Sequence, residues 1–149
     1  MYSFQLSADI SAPPRRVWQA LCDPAEVARW DSGVSEAIDA PPDYPRPGQK
    51  VRWRYRSRWF RLLHDSPQAV EAEKRLQSIL VLGPYYMDET YSLTASDTGS
   101  RLMLALDLTV RLPLIGGLVE RLYAGRSLRA GFAASLAGLK RHCEGEAGA

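Results

Sequence analysis

Glu89 comes closest, by type and spacing, to a residue that could do chemistry. In Met87-Asp88-Glu89-Thr90-Tyr91-Ser92-Leu93 it shares the parity of Met87, Tyr91 and Leu93, so an extended backbone turns its carboxyl to their apolar side. A buried carboxyl must be paired, hydrogen-bonded or protonated, and each state can serve ligand recognition or acid–base catalysis. The competing reading is a carboxyl near a strand end that reaches solvent or a structural arginine. Glu36, in step with Val34 and Ile38, raises the same question on a shorter strand. His64-Asp65 has the composition of a general base with an orienting carboxylate. Adjacent residues in an extended stretch point apart, however, and no serine or cysteine nucleophile is placed to use them, so His64 reads as a loop histidine. Cys22, His64, His142 and Cys143 could ligate zinc by type but not by spacing, since no Cys-x-x-Cys or His-x-x-x-His unit is present. No metal and no cofactor are therefore expected. Gly116-Gly117 precedes a helical pattern but lacks the Lys-Ser/Thr of a phosphate loop, and is expected to turn the chain out of the last strand.

Arg52, Arg54, Arg56, Arg58 and Arg61 lie among Trp53, Tyr55 and Trp59, which raises nucleic-acid binding. A stacking platform needs aromatic rings and cations on one face. Strand geometry puts Arg52, Arg54 and Arg56 opposite Trp53 and Tyr55, so the arginines read as a solvated outer face, with Glu71 and Glu73 as cross-strand partners. Trp53 and Tyr55 then point inward. No nucleic acid is expected.

These residues must be positioned by a run of strands and one long helix. Phe4, Leu6, Ala8 and Ile10 alternate with polar residues as a half-buried strand. Ser11 reads as an N-cap before Pro13-Pro14, and Val17, Trp18 and Leu21 are the buried face of a short helix. Asp23-Pro24-Ala25-Glu26 opens a second helix carrying Val27 and Trp30, with Glu26 placed to reach back to the cap. Val34–Asp39 is a short strand, followed by a proline-rich loop to Gly48 and a strand through Val51, Trp53 and Tyr55. Trp59–Asp65 is ambiguous. Strands follow near Val70–Glu73, Leu76–Leu82, Tyr86–Ala95 and Arg101–Arg111. From Pro113 to Cys143, Leu118, Leu122, Gly125, Leu128, Phe132, Leu136, Leu139 and Cys143 recur at three- and four-residue steps, laying one apolar stripe along a helix. Gly125 and Gly131 inside it each cost roughly 1 kcal/mol against alanine. Either they leave room for a ligand or they let the sheet backbone approach. Strand, two helices, strands and one long helix make an α+β fold in which a curved antiparallel sheet wraps the C-terminal helix.

At 149 residues the chain is long enough for one domain with volume to spare for a pocket. Residues 1–144 read as that domain and 145–149 as a loose tail. Apolar residues make up 46% and charged residues 24%, and a net charge of +2 is too small to imply a nucleic-acid or membrane partner. No apolar run is long enough to span a bilayer, so no stable membrane insertion is expected. Two lone cysteines, and an N-terminus that alternates like a strand, give the expectation of a cytoplasmic protein.

The segment Leu6-Ser7-Ala8-Asp9-Ile10-Ser11-Ala12-Pro13-Pro14-Arg15-Arg16-Val17-Trp18-Gln19-Ala20-Leu21-Cys22-Asp23-Pro24, followed by Ala28-Arg29-Trp30, resembles the opening of START-like proteins. These are also called the polyketide cyclase/dehydrase and lipid-transport (SRPBCC) superfamily. Asp88-Glu89-Thr90-Tyr91-Ser92-Leu93, Gly99-Ser100-Arg101-Leu102 and the terminal helix follow the same layout, so the resemblance covers nearly the whole chain. It implies a helix-grip fold with a mostly apolar cavity between sheet and helix. Such a scaffold hosts binders, transporters and cyclases alike and shares no catalytic motif, so none is carried over.

The expected concave face holds Trp53, Tyr55, Leu80, Met87, Glu89, Tyr91, Leu104, Leu106 and Leu108, with Tyr123, Leu128 and Phe132 from the helix. Trp18 and Trp30 belong to the core or the cavity rim, as does Tyr123. The favoured function is binding of a small hydrophobic molecule: a lipid, a polyketide or an aromatic compound. A polyketide-type cyclase or dehydratase using Glu89, Tyr91, Tyr55 or an inward arginine is the alternative. An interaction module, docking through outward Ile79 and Val81, is a third. The chain is expected to be a monomer or weak homodimer.

Overall fold

The computed structural model describes residues 1–119 and 123–147. Its chain order is β1 (Tyr2–Ile10), α1 (Pro14–Cys22), α2 (Pro24–Trp30), β2 (Val34–Ala37), β3 (Val51–Tyr55), β4 (Leu62–Glu71), β5 (Arg75–Leu82), β6 (Tyr85–Ser96), β7 (Gly99–Val110), α3 (Gly116–Val119) and α4 (Gly125–Ala147). The strands form a seven-stranded antiparallel sheet in the order β1-β7-β6-β5-β4-β3-β2. β1 and β2 are the two edges, and α1 and α2 carry the chain from one to the other. The architecture is the α+β helix-grip fold.

Period-2 burial sorts the sheet. Leu102, Leu104, Leu106, Leu108 and Val110 of β7 are buried on the concave side, as are Leu76, Leu80 and Leu82 of β5. β4 resolves the ambiguous stretch: it is one strand from Leu62 to Glu71, with a bulge between Pro67 and Ala69. Pro67 cannot donate to the ladder, and the bulge accommodates it. His64 is therefore on a strand, facing outward, rather than in a loop, while Asp65 faces inward. Ile79 and Val81 lie on the outer face and are half-buried.

The arginines of β3 do face outward, but their partners differ from the expected ones. Arg52 pairs with Asp39 at 2.7 Å and Arg54 with Glu36 at 2.7 Å. Register explains this, since β3 lies against residues 62–65 of β4 and Glu71 is at that strand's far end. Glu36 thereby becomes an exposed surface residue.

Ser11 does not cap α1. Pro13 occupies the cap position without a side-chain bond, and the Ser11 amide instead donates to the Glu144 carboxylate at 2.8 Å, tying the start of α1 to the end of α4. Asp23 caps α2 by accepting from the Ala25 amide at 2.9 Å. Glu26 does not reach back to that cap. Its buried carboxylate meets the Arg16 guanidinium at 2.7 Å and His142 Nε2 at 2.8 Å, joining α1, α2 and α4.

The C-terminal segment becomes helical at Gly116, after a turn out of the last strand. Leu114 has a φ of 66°, α3 follows it, and α4 is α-helical from Gly125 through Ala147, with Tyr123 and Ala124 π-helical just before it. Gly116 approaches the sheet so closely that an added Cβ would stand 2.6 Å from the Val110 carbonyl oxygen. Leu118 is exposed rather than part of the stripe; Leu122 lies outside the described residues. From Leu128 onward the stripe holds, with Leu136, Leu139 and Cys143 buried and Leu128 and Phe132 half-buried.

The helix glycines separate by role. Gly125 is the first α-helical residue of α4, directly after the π-helical Tyr123 and Ala124, while a Cβ on Gly131 would meet nothing within 4 Å. A Cβ on Gly138 would run into the Trp30 carbonyl oxygen, so Gly138 is what lets α2 and α4 touch. Gly138→Ala is expected to lower stability by about 1–3 kcal/mol through overpacking. Gly131→Ala should raise it by up to about 1 kcal/mol through helix propensity. Equal urea midpoints for the two variants would contradict this packing.

Candidate functional site

Between the sheet and the N-terminal half of α4 lies a cavity of about 540 Å³. That volume falls within the range that holds a small organic ligand. Trp53, Leu63, Leu80 and Met87 line its floor, with Glu89, Tyr91 and Leu108 beside them. Leu21, Val27 and Trp30 form one wall, and Tyr44 of the proline-rich loop closes in. Leu128, Gly131, Phe132 and Ser135 of α4 cover it. Tyr55 and Phe60 also line it, and Trp59 and Tyr123 of the lining are 78% and 73% exposed, so its open side carries aromatic rings.

Leu104 and Leu106 share the concave face but do not line this space. Each is 1% exposed and belongs to the packed core. At that end of the sheet α4 packs on β1 and α1 on β6 and β7, and Phe132 meets Phe4, the register partner of Leu106, at 6.1 Å between rings. Sheet parity gives the face a side chain points to, but not whether a helix lies directly on it. Trp30 is both core and cavity wall, its indole N–H donating to the Ala20 carbonyl at 2.8 Å; Tyr123 is rim, and Trp18 lies away from the cavity.

The polar groups of the lining are hydroxyls, the exposed Arg56 and three carboxyls, Asp31, Asp65 and Glu89. Asp65 accepts on Oδ2 from the Tyr44 hydroxyl at 2.6 Å and from the Trp53 indole N–H at 3.1 Å, while its Oδ1 has no partner in hydrogen-bond geometry. Burial pushes its carboxyl up, and the Tyr44, Trp53 and nearby Ser78 groups offset only part of that. Asp31 accepts on Oδ1 from the Gly33 amide at 2.9 Å and the Ser135 hydroxyl at 3.0 Å, yet burial still raises it. Glu89 is 9% exposed and, among the described residues, has no hydrogen-bond or ion-pair partner. Burial holds it well above the usual carboxylate range, and the charges of Asp65 and Asp31 add to the effect. Tyr91 is raised in the same way, by burial first and then by Glu89.

A raised folded pKa means the folded state holds its proton more tightly than the unfolded chain. The consequence is stability lost as pH rises through the folded value. Glu89→Gln is therefore expected to be at least as stable as the parent in urea at about pH 8, with the margin shrinking on acidification. A large loss of stability at that pH would show that Glu89 has a stabilising partner.

The roles of Asp65 and Tyr44 were not legible in sequence. Asp65 drew notice only beside His64, and Tyr44 lies in a loop without periodicity. The available signal was inward parity of Asp65 with Leu63 on a strand that Pro67 concealed.

Comparison with known proteins places the chain. Protein CV1439 from Chromobacterium violaceum superposes with a TM-score of 0.78 at 18% identity, covering 96% of this chain and 97% of that one. NE0264 from Nitrosomonas europaea gives 0.74 at 16% identity, covering 99% and 97%. DynU16, a protein of the dynemicin biosynthetic locus, gives 0.70 at 21% identity, and this chain covers 97% of its own length but only 48% of DynU16. At these identities the structures share the fold. No curated protein matches the chain. A family model for polyketide cyclase / dehydrase and lipid transport matches residues 1–144, and the chain belongs to that family.

Proposed function

We propose that this protein binds a small hydrophobic molecule, with a lipid, polyketide or aromatic body, in the cavity between sheet and α4. The observation that carries this reading is the cavity itself: about 540 Å³, lined mainly by aliphatic and aromatic side chains, with an aromatic mouth. Its family includes lipid-transport and cyclase members, which is consistent with such a ligand. Titration with the neutral fluorescent dye N-phenyl-naphthylamine tests it. Saturable enhancement at one site per chain, displaced by apolar competitors, is expected; no saturable binding would overturn the reading.

A second reading, acid–base catalysis on a bound polyketide-like substrate, is favoured by one observation. Glu89 is an unpartnered carboxyl beside Tyr91, and its burial favours the protonated form that can donate a proton. Under this reading Glu89→Gln abolishes turnover of a candidate substrate while leaving its binding nearly intact. Unchanged turnover removes Glu89 from the chemistry.

A further inference from the structure

The lining of the cavity contains three carboxyl groups, Asp31, Asp65 and Glu89, and its one described cation, Arg56, is an exposed residue. The groups around Glu89 come from every side. β4 supplies Asp65, the turn after α2 Asp31, the proline-rich loop Tyr44, β3 Tyr55 and β6 Tyr91. Cys22 of α1 lies near Tyr44, and α4 contributes the hydroxyls of Ser127 and Ser135. Among the described residues, none of these carries a positive charge.

An acidic group buried without a partner is costly, and either a proton or a cation relieves it. Burial favours the proton in the empty cavity. A ligand carboxylate would face three like groups with, among the described residues, no cation at their depth, and is disfavoured. A neutral ligand that only accepts hydrogen bonds would find donors in the hydroxyls of Tyr55 and Tyr91, and it would leave the carboxyl oxygens as they are. A protonated nitrogen supplies both the missing charge and the N–H donors that Glu89 lacks. We infer that the cavity takes an apolar molecule carrying a protonated nitrogen, with the Glu89 carboxylate as its counter-charge and Asp65 and Asp31 strengthening the field. This rests on the cavity being a ligand site, as proposed above. The balance is simple: the ammonium arrives charged, Glu89 gives its proton to solvent, and an N–H···O pair forms with no covalent change.

Three probes with one apolar body separate the possibilities: naphthylmethylamine, naphthylmethanol and naphthoic acid. In calorimetric titrations at about pH 7, the amine should bind at least about tenfold more tightly than the alcohol, and the acid weakest. Repeating the amine titration in buffers of different ionisation enthalpy should show net proton release on binding, since burial favours the protonated Glu89 carboxyl in the free protein, and the alcohol titration none. In Glu89→Gln the amine should fall to the level of the alcohol and proton release should vanish. A urea midpoint at least equal to the parent's reports that the variant is folded. Equal affinity of amine and alcohol in the parent, or an amine preference that survives Glu89→Gln, overturns the inference while leaving the apolar site standing. If none of the three probes binds, the ligand-site reading falls and the inference falls with it.

Discussion

Glu26→Ala is expected to lower the stability of the folded chain by about 3 kcal/mol, read from the urea midpoint. The Glu26 side chain is about 10% exposed and holds Arg16 of α1 at 2.7 Å and His142 of α4 at 2.8 Å. Removing it leaves two basic groups facing each other where three helices meet, and breaking a buried pair by deleting one partner is among the costlier single changes. Burial pushes the Glu26 carboxyl up, but hydrogen bonds and charge from Arg16 and His142 outweigh burial and hold it below its usual range. A depressed folded pKa contributes stability above the unfolded carboxyl value and loses it as pH falls through the folded one. The gap between parent and Glu26→Ala should therefore narrow on acidification below about pH 4. A midpoint unchanged at neutral pH would show that the three helices are held by apolar packing alone.

Leu80→Trp is expected to weaken N-phenyl-naphthylamine binding by at least about 100-fold, or 2.7 kcal/mol, while leaving the fold intact. Leu80 projects from β5 into the cavity, is 7% exposed, and lies between Asp65 of β4 and Met87 of β6 in register. The larger indole has open volume to enter, so it competes with a ligand rather than with packed core. In a filled core the same change would cost about 1–3 kcal/mol of stability through overpacking. Loss of binding with a retained urea midpoint is the expected pair of results. Loss of stability with unchanged binding would place the binding site elsewhere.

Much of the fold could be read in the chain because strand parity is a local property. Trp53, Leu80, Met87, Tyr91 and Leu108 face inward by alternation alone, and Glu89 follows from the same count. Reading fails where a side chain's fate depends on contacts across the chain. Leu104 and Leu106 have the right parity but lie under the helices rather than under the cavity. Glu26 looks like a capping residue because a local motif offers that role, and Arg16 and His142 outcompete it from 10 residues before and 116 after. Pro67 hides β4 because its bulge depends on pairing with β5. The opening of the C-terminal helical segment is misread because the apolar step takes in Leu118, which the fold leaves exposed. The family follows from the order of many weak segments; the ligand depends on a few side chains that meet only in the fold.

Native mass spectrometry of freshly purified protein tests the central claim most directly. The account predicts, alongside the bare chain, a population carrying one small apolar molecule, absent from Leu80→Trp prepared in the same way. Bare protein alone, in a preparation that also fails to take up added N-phenyl-naphthylamine in the same spectrum, would contradict it.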